Sequence, residues 1–317
     1  MNQRPDQSLP DQSLLEEIAL LKGMDASFVE KDWFVTQVIK LIAALDHKGF
    51  AVIFAGGTAL SKAHRLLQRF SEDIDFRVIV PESARNRRQL SAFKQAVAEA
   101  LRRGGFTLGT DQIKAGDGNR FFAIELDYES CFAQPDALRP HIQIEMTASD
   151  IALPCVYRAV SSFVHELTGR PPEVERIGCL DPVESAADKL SALAWRIPDR
   201  VRGQADDDPA VVRHLHDLAM LQDRALAYAE FPALAAAAVA KDDQRAKNHP
   251  AFSGLPMAEK FRQMLDILAS DPQYVKEYDR FVKGVSYAKE GETPDFAQAL
   301  QAVRTLIEDV TTQTPKA

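Results

Sequence analysis

Apolar residues fall at helical spacing near the start of the chain, switch to alternation between about residues 50 and 150, and return to helical spacing beyond about residue 180. Ser13-Leu-Leu-Glu16 and Ser27-Phe-Val-Glu30 both have the capping-box form, in which a hydroxyl and a carboxylate satisfy the free backbone donors of a helix start. A helix is predicted from each. The second runs through EKDWFVTQVIKLIAAL to Gly49, and the apolar run Phe50 to Phe54 then predicts a strand ending at Gly56-Gly57. TALSKAHRLLQRF (58–70) carries Leu60, Ala63, Leu66 and Leu67 at helical spacing, and DIDFRVIV alternates. The order is strand, turn, helix, strand. A helix rich in Arg and Ala is predicted over about 83–103, and FFAIELDY (121–128) and HIQIEMTA (141–148) read as further strands.

Residues 50 to 150 thus form an α+β unit. TGRPPEVERIGCLDP, with two glycines and three prolines, is the best boundary candidate. Beyond it Val183, Ala186, Ala187 and Leu190 share one face, as do Leu215, Leu218 and Ala219, and Phe261, Met264, Leu265 and Leu268. Thr293-Pro294 predicts the start of a last helix, with Thr as cap. PDQSL occurs twice in tandem, at 5–9 and 10–14, too short to build a repeat fold. The expected organisation is a tail and first helix (1–26), an α+β domain (27–175) and a helical domain (176–317).

Composition narrows the class of protein. With 46% hydrophobic and 26% charged residues the chain is able to build a core, which excludes disordered and collagen-like readings. It contains no membrane-length apolar run and no basic-then-apolar leader, so a cytoplasmic protein without membrane contact is expected. Cys131, Cys155 and Cys179 are odd in number and far apart, and read as small buried or half-buried residues. The net charge of −8 argues against indiscriminate nucleic-acid binding. Yet Lys62 to Arg103 holds ten basic residues against five acids, a local excess that suits an anionic ligand.

The chemistry concentrates in Gly56-Gly57-Thr58-Ala59-Leu60-Ser61-Lys62 and Ser71-Glu72-Asp73-Ile74-Asp75. Residues two apart on a strand share a face, so Asp73 and Asp75 present paired carboxylates while Ile74, Phe76, Val78 and Val80 face the core. Two like charges that close call for a cation, and Mg²⁺ (or Mn²⁺) takes such oxygen ligands together with substrate phosphates. A Gly-Gly turn into a helix start lets a phosphate approach the backbone. Glu145 shares a strand face with His141, Gln143 and Thr147 and is the candidate third metal ligand. Three carboxylates suit a two-metal site for phosphoryl or nucleotidyl transfer. Lys189 lies off the apolar stripe of its helix, which leaves it either solvated or aimed at phosphates. Arg213 and Asp217, four apart, could equally be a surface ion pair.

GGTALSK followed by RFSEDIDF resembles the signature of the AbiEii/AbiGii-type toxin family, within the DNA polymerase β-like nucleotidyltransferase superfamily. Glu30-Lys31-Asp32-Trp33 is similar to the family's E-K-D-aromatic segment, and DPVESAADKLSALAWR with RHLHDLAML is similar to its C-terminal part. The resemblance covers about residues 30–225. It implies a nucleotidyltransferase-like mixed β-sheet core with flanking helices and a helical C-terminal lobe that contributes to the active site. It also implies that Ser71, Asp73 and Asp75 form the metal and nucleotide site, that Lys189 contacts the triphosphate, and that Asp217 completes the site. Arg213-His214 stands where the family commonly has Arg-Asp, so the first acid of that segment is missing.

The expected catalytic residues are therefore Asp73, Asp75, Lys189 and Asp217. Nucleotide contacts are expected from Gly56, Gly57, Thr58, Lys62, Ser71 and Lys189, and metal ligation from Asp73, Asp75 and Glu145. The resemblance implies a toxin of a toxin–antitoxin or phage-defence pair, with an NTP as substrate, an RNA acceptor such as the 3′ end of tRNA, and a cognate antitoxin as partner. A protein or small-molecule hydroxyl as acceptor, or a binding module that has lost catalysis, are the competing readings.

Overall fold

The computed structural model describes residues 9–135, 137–205, 207–245 and 253–313. The chain divides into two compact units. One comprises Met1–Arg65 with Phe70–Leu180, the other Leu66–Arg69 with Asp181–Ala317. The expected division at 175/176 falls inside a strand, five residues before the contact boundary. Residues 5–8 of the first PDQSL copy lie outside the described residues.

The first unit opens with α1 (Gln12–Lys22) and α2 (Ala26–Ala43). Both start within two residues of the predicted capping boxes, but the caps differ. Asp11 precedes α1 without a side-chain cap bond, and Asp25 caps α2 by accepting from the Ser27 N–H at 2.9 Å. A carboxylate one position before the helix outcompetes the serine already inside it, which frees Glu30 for other contacts. Strand β1 (Ala51–Ala55) leads into a single turn, α3 (Gly56–Thr58), continued by a π-helical turn over Ala59–Ala63. The helix predicted over 58–70 therefore stops at Ala63. Arg65 follows with φ of 56°, and Leu66–Arg69 belongs to the second unit. Tertiary contacts of Arg69 override the local helical spacing.

Next come β2 (Ile74–Ile79), α4 (Arg87–Arg103), β3 (Ile113–Gly116), β4 (Phe121–Asp127), β5 (His141–Ala148), β6 (Val156–Val160), α5 (Phe163–Thr168) and β7 (Val174–Cys179). The seven strands form one mixed sheet in the order β3-β4-β5-β2-β1-β7-β6. β2 runs antiparallel to β1 and parallel to β5, and Ala55 pairs with Asp75, which pairs with Glu145.

The alternation read in the sequence is realised on β2, where Ile74, Phe76 and Val78 are buried and Asp75, Arg77 and Ile79 half-buried. The buried set packs with Val38, Ile39 and Ile42 of α2 and Phe93, Val97 and Leu101 of α4 into the main core. Each such side chain stabilises the fold by about 1.5–3 kcal/mol. The opposite face carries a smaller cluster, Ile53, Ala55 and Leu180. There the half-buried Asp75 and Glu145 stand beside each other, so one sheet holds the core on one side and polar chemistry on the other. Trp33 is core, edge-on to Phe34. Cys179 is buried and Cys155 intermediate, but Cys131 is exposed, contrary to expectation.

The second unit is helical: α6 (Pro182–Asp199), α7 (Arg213–Leu226), α8 (Phe231–Arg245), α9 (Met257–Ser270), α10 (Gln273–Val285) and α11 (Phe296–Gln313). Asp181 caps α6 through the Val183 N–H at 2.8 Å, with Pro182 pre-set for the first turn. The last helix is capped by Asp295 rather than Thr293. Its carboxylate accepts from the Gln298 N–H at 2.8 Å while Gln298 Oε1 accepts from the Asp295 N–H at 2.9 Å, a reciprocal capping box. The segment Leu66–Arg69 attaches through an antiparallel bridge of Arg69 to Ser286 and the Tyr287 N–H to Gln68 carbonyl bond, 3.1 Å.

Candidate active site

Gly56, with φ of 73°, sits where β1 turns, directly against Asp75: a β-carbon at this position would lie 1.9 Å from Asp75 Oδ2. Only glycine leaves room for that carboxylate. Asp73 lies one residue before β2 rather than on it, and its backbone carbonyl accepts from the Thr58 hydroxyl. Thr58 is fully buried, so it pins the approach to Asp75 from within. Ser71 and Gly57 are half-buried beside these residues in the chain.

The expected third carboxylate is present in register but not drawn into a cluster. Glu145 sits across from Asp75 on β5 and accepts from Gln143 Nε2 at 3.5 Å. Among the described residues no three His, Cys, Asp or Glu side chains are gathered closely enough to hold a metal ion. Asp73 instead takes a cation from the protein, Arg139 Nη1 at 2.6 Å. The donor set still fits a hard divalent ion. Asp73 and Asp75 would offer oxygen ligands, a positive charge already rests on Asp73 in the form of Arg139, and such ions keep most of their remaining coordination for water and phosphate.

Lys62, expected on the nucleotide, is used internally. Its ammonium pairs with Asp32, and both side chains are buried. Asp32 also accepts from the Phe163 N–H at 2.7 Å. Burial pushes the Asp32 carboxyl upward, against the opposing pull of Lys62 and of that N–H. The neighbours of Asp32 behave alike. Glu30 accepts from the Cys131 N–H at 2.7 Å and from the Ser130 hydroxyl. Lys31 reaches Glu72 and the Arg139 carbonyl. Burial lowers the Lys31 ammonium, while Glu72 and Asp73 pull it back up. Three consecutive charges on α2 thus tie down three separate loops, a function invisible in the site motif itself. Its signal was the charged triplet inside an otherwise apolar helix, since charges in a helix that is apolar on every other face are buried and must be paired.

In the second unit the structure brings Lys189 and Asp217 together. Asp217 is fully buried and receives Lys189 Nζ at 2.7 Å, a two-pronged bond from Arg69 with both distances 2.7 Å, and His216 Nδ1 at 3.2 Å. A carboxylate has about four acceptor sites, so these contacts saturate it. Burial opposes ionisation, yet the Arg69 and Lys189 charges hold the carboxyl well below the usual range. The surface pair with Arg213 is replaced: Arg213 meets Asp208 at 3.0 Å. His214, standing for the missing acid, has neither ring nitrogen bonded. Burial first, then Lys189, Arg213 and Arg196, keeps it far below the ordinary histidine range, hence neutral.

A glycine turn under one carboxylate of an Asp-x-Asp strand, within a mixed sheet, is the setting in which the family comparison is decisive. The sequence model of the nucleotidyl transferase AbiEii toxins of type IV toxin–antitoxin systems matches residues 41–302. The chain belongs to the AbiEii family. It is accordingly a nucleotidyltransferase toxin of a toxin–antitoxin system. The match begins after the E-K-D triplet and runs well past residue 225, where the recognisable motifs end. Among solved structures the chain is similar to MenT4, a nucleotidyltransferase toxin from Mycobacterium tuberculosis H37Rv, with 16% identity and a TM-score of 0.48 over 94% of this chain and 99% of that one. Comparison with curated protein sequences gives no match. Among the described residues no helix is long and apolar enough to cross a membrane.

Proposed function

We propose that this AbiEii-family chain transfers a nucleoside monophosphate from an NTP to a hydroxyl of an RNA acceptor, a tRNA end being the leading candidate, in a Mg²⁺-dependent reaction. The observation that carries the reading is Asp75 set against Gly56 on one side and beside Glu145 on the other, with Asp73 two residues earlier in the chain. In this reading Asp73 and Asp75 hold the divalent ion, with Glu145 alongside, and Gly56, Gly57 and Ser71 receive the triphosphate. A bound divalent ion supplies charge neutralisation on the phosphates and lowers the pKa of the attacking hydroxyl. The acceptor oxygen forms a bond to the α-phosphorus, the bond from the α-phosphorus to the bridging oxygen of the β-phosphate breaks, the hydroxyl proton passes to solvent water, and pyrophosphate departs with the electron pair. Thr58 serves by fixing the Asp73 backbone. Lys189 and Asp217 are proposed participants in turnover through the charge of Lys189. The cell compartment proposed is the cytoplasm, where NTP and RNA are available.

Incubation of the purified protein with Mg²⁺, each α-labelled NTP, total RNA and total protein, with Asp75→Asn alongside, tests this. Label in an RNA band with wild type alone supports it and names the nucleotide. Label in protein or a small molecule replaces the RNA acceptor, and unchanged transfer by Asp75→Asn removes the assignment of the site.

A further inference from the structure

Arg139 precedes β5 by two residues and is fixed by its backbone rather than its side chain. Its N–H donates to Glu72 Oε2 at 3.0 Å and Oε1 at 3.3 Å, and its carbonyl accepts from Lys31. Lys31 is completely buried and pairs with the same Glu72. Burying an ammonium costs several kcal/mol unless it is paired and bonded, so Lys31 and Glu72 form a strong clamp on the backbone of Arg139, one on each side of its Cα. The guanidinium that this clamp delivers is nearly half exposed, 47%, and rests on Asp73, itself 32% exposed. A pair that open to solvent is held weakly and exchanges partners readily.

The contrast between a rigid backbone and a loosely held head group has a chemical reading. Asp73 is one of the two carboxylates assigned to the divalent ion, and an ion taking its oxygens competes with the guanidinium for them. The released guanidinium, with five donors in a planar fork matched to phosphate oxygens, remains tethered beside the site. We infer that Arg139 is a substrate-binding residue: it covers Asp73 in the empty enzyme and passes to the polyphosphate of the incoming NTP when the ion engages Asp73. Lys31 and Glu72 act through it as positioning residues. The inference rests on the assignment of Asp73 and Asp75 to nucleotidyl transfer.

The test uses the full-length protein with Mg²⁺ and inorganic tripolyphosphate, a probe free of any base preference, and follows binding by calorimetry. Mn²⁺ binding without polyphosphate is measured by electron paramagnetic resonance. Arg139→Ala should weaken tripolyphosphate binding about tenfold or more, with Arg139→Lys between it and wild type. Mn²⁺ affinity without polyphosphate should stay equal or rise, because the competing guanidinium is gone. Lys31→Met should reproduce the polyphosphate defect. Should that variant not fold, Arg139→Ala, at an exposed side chain, decides alone. Tripolyphosphate affinity within twofold of wild type, or a loss of Mn²⁺ affinity, overturns the inference. Asp75→Asn separates the two layers. Weakened binding there with none in Arg139→Ala overturns Arg139 alone, whereas no effect in Asp75→Asn overturns the site and the inference with it.

Discussion

Gly56 and Asp75 are in steric register: the carboxylate occupies the volume that a β-carbon on residue 56 would need, 1.9 Å from Oδ2, and Gly56 itself has φ of 73°. Gly56→Ala is thus strained twice, in its backbone and against Asp75. The variant should lose about 1–3 kcal/mol in stability. Displacing Asp75 by about 1 Å should cost roughly 100-fold in nucleotide transfer. Urea unfolding and labelled-NTP turnover read the two effects separately. Unaltered turnover would detach Asp75 from the chemistry.

Asp32 and Lys62 form a buried pair in which each charge depends on the other. Removing one partner, as in Asp32→Asn or Lys62→Met, should cost about 3–5 kcal/mol because the other charge stays buried. The double variant should lose less than the sum of the singles, a coupling that a double-mutant cycle measures. A strictly additive result would mean that the pair does not interact in solution.

Asp73 falls one residue before the strand, whereas strand β2 and the place of Asp75 on its outer face were legible because alternation is a local signal. The same holds for Ile74, Phe76 and Val78, whose inward face follows from the period of two. Lys62, Arg69 and Arg139 were not legible in their present roles. Each is assigned by a partner far along the chain, Arg69 by Asp217, 148 residues away, and Arg139 by Lys31, 108 residues away. Helical spacing across Leu66 and Leu67 suggested a helix that the Arg69 fork and the Ser286 bridge override. Caps were misplaced for a smaller reason: Asp25 and Asp295 each stand next to a hydroxyl-bearing motif that looked sufficient alone, and α1 starts without a side-chain cap bond.

Asp217 makes the stability of the helical unit depend on acid. Its carboxyl is held well below its ordinary value of 3.8, so the unfolded chain takes up the proton first. Stability from this group is complete above that value and is lost as pH falls through the native one. Thermal unfolding from pH 7 to 3 should show the wild-type midpoint dropping below about pH 4, with up to about 1.4 kcal/mol lost per pH unit from this residue. Asp217→Asn should melt lower throughout, by about 3–5 kcal/mol, since Arg69 and Lys189 lose their acceptor. It should also lack this share of the acid slope. An identical slope in wild type and variant would assign the acid sensitivity to other carboxyls.

The basic excess between Lys62 and Arg103 becomes spatially specific on α4. Arg87, Arg88 and Lys94 line an open cleft of about 730 Å³, with Lys94 anchored by Asn119 Oδ1 at 2.8 Å, and no acid lines it. A cleft of this sign suits an RNA backbone, whose condensed counterions are released on binding, so affinity should fall linearly in log–log with salt. Changing Arg87, Arg88 and Lys94 to glutamine should weaken RNA binding and flatten that slope by about 2 units if all three meet phosphates of a single strand. Turnover with saturating RNA should persist, because these side chains lie outside the Asp73 and Asp75 machinery. Filter binding of labelled tRNA between low and moderate salt measures the slope. A slope unchanged by the triple substitution would place the RNA backbone elsewhere on the protein and leave the α4 charges as a solvated helix face.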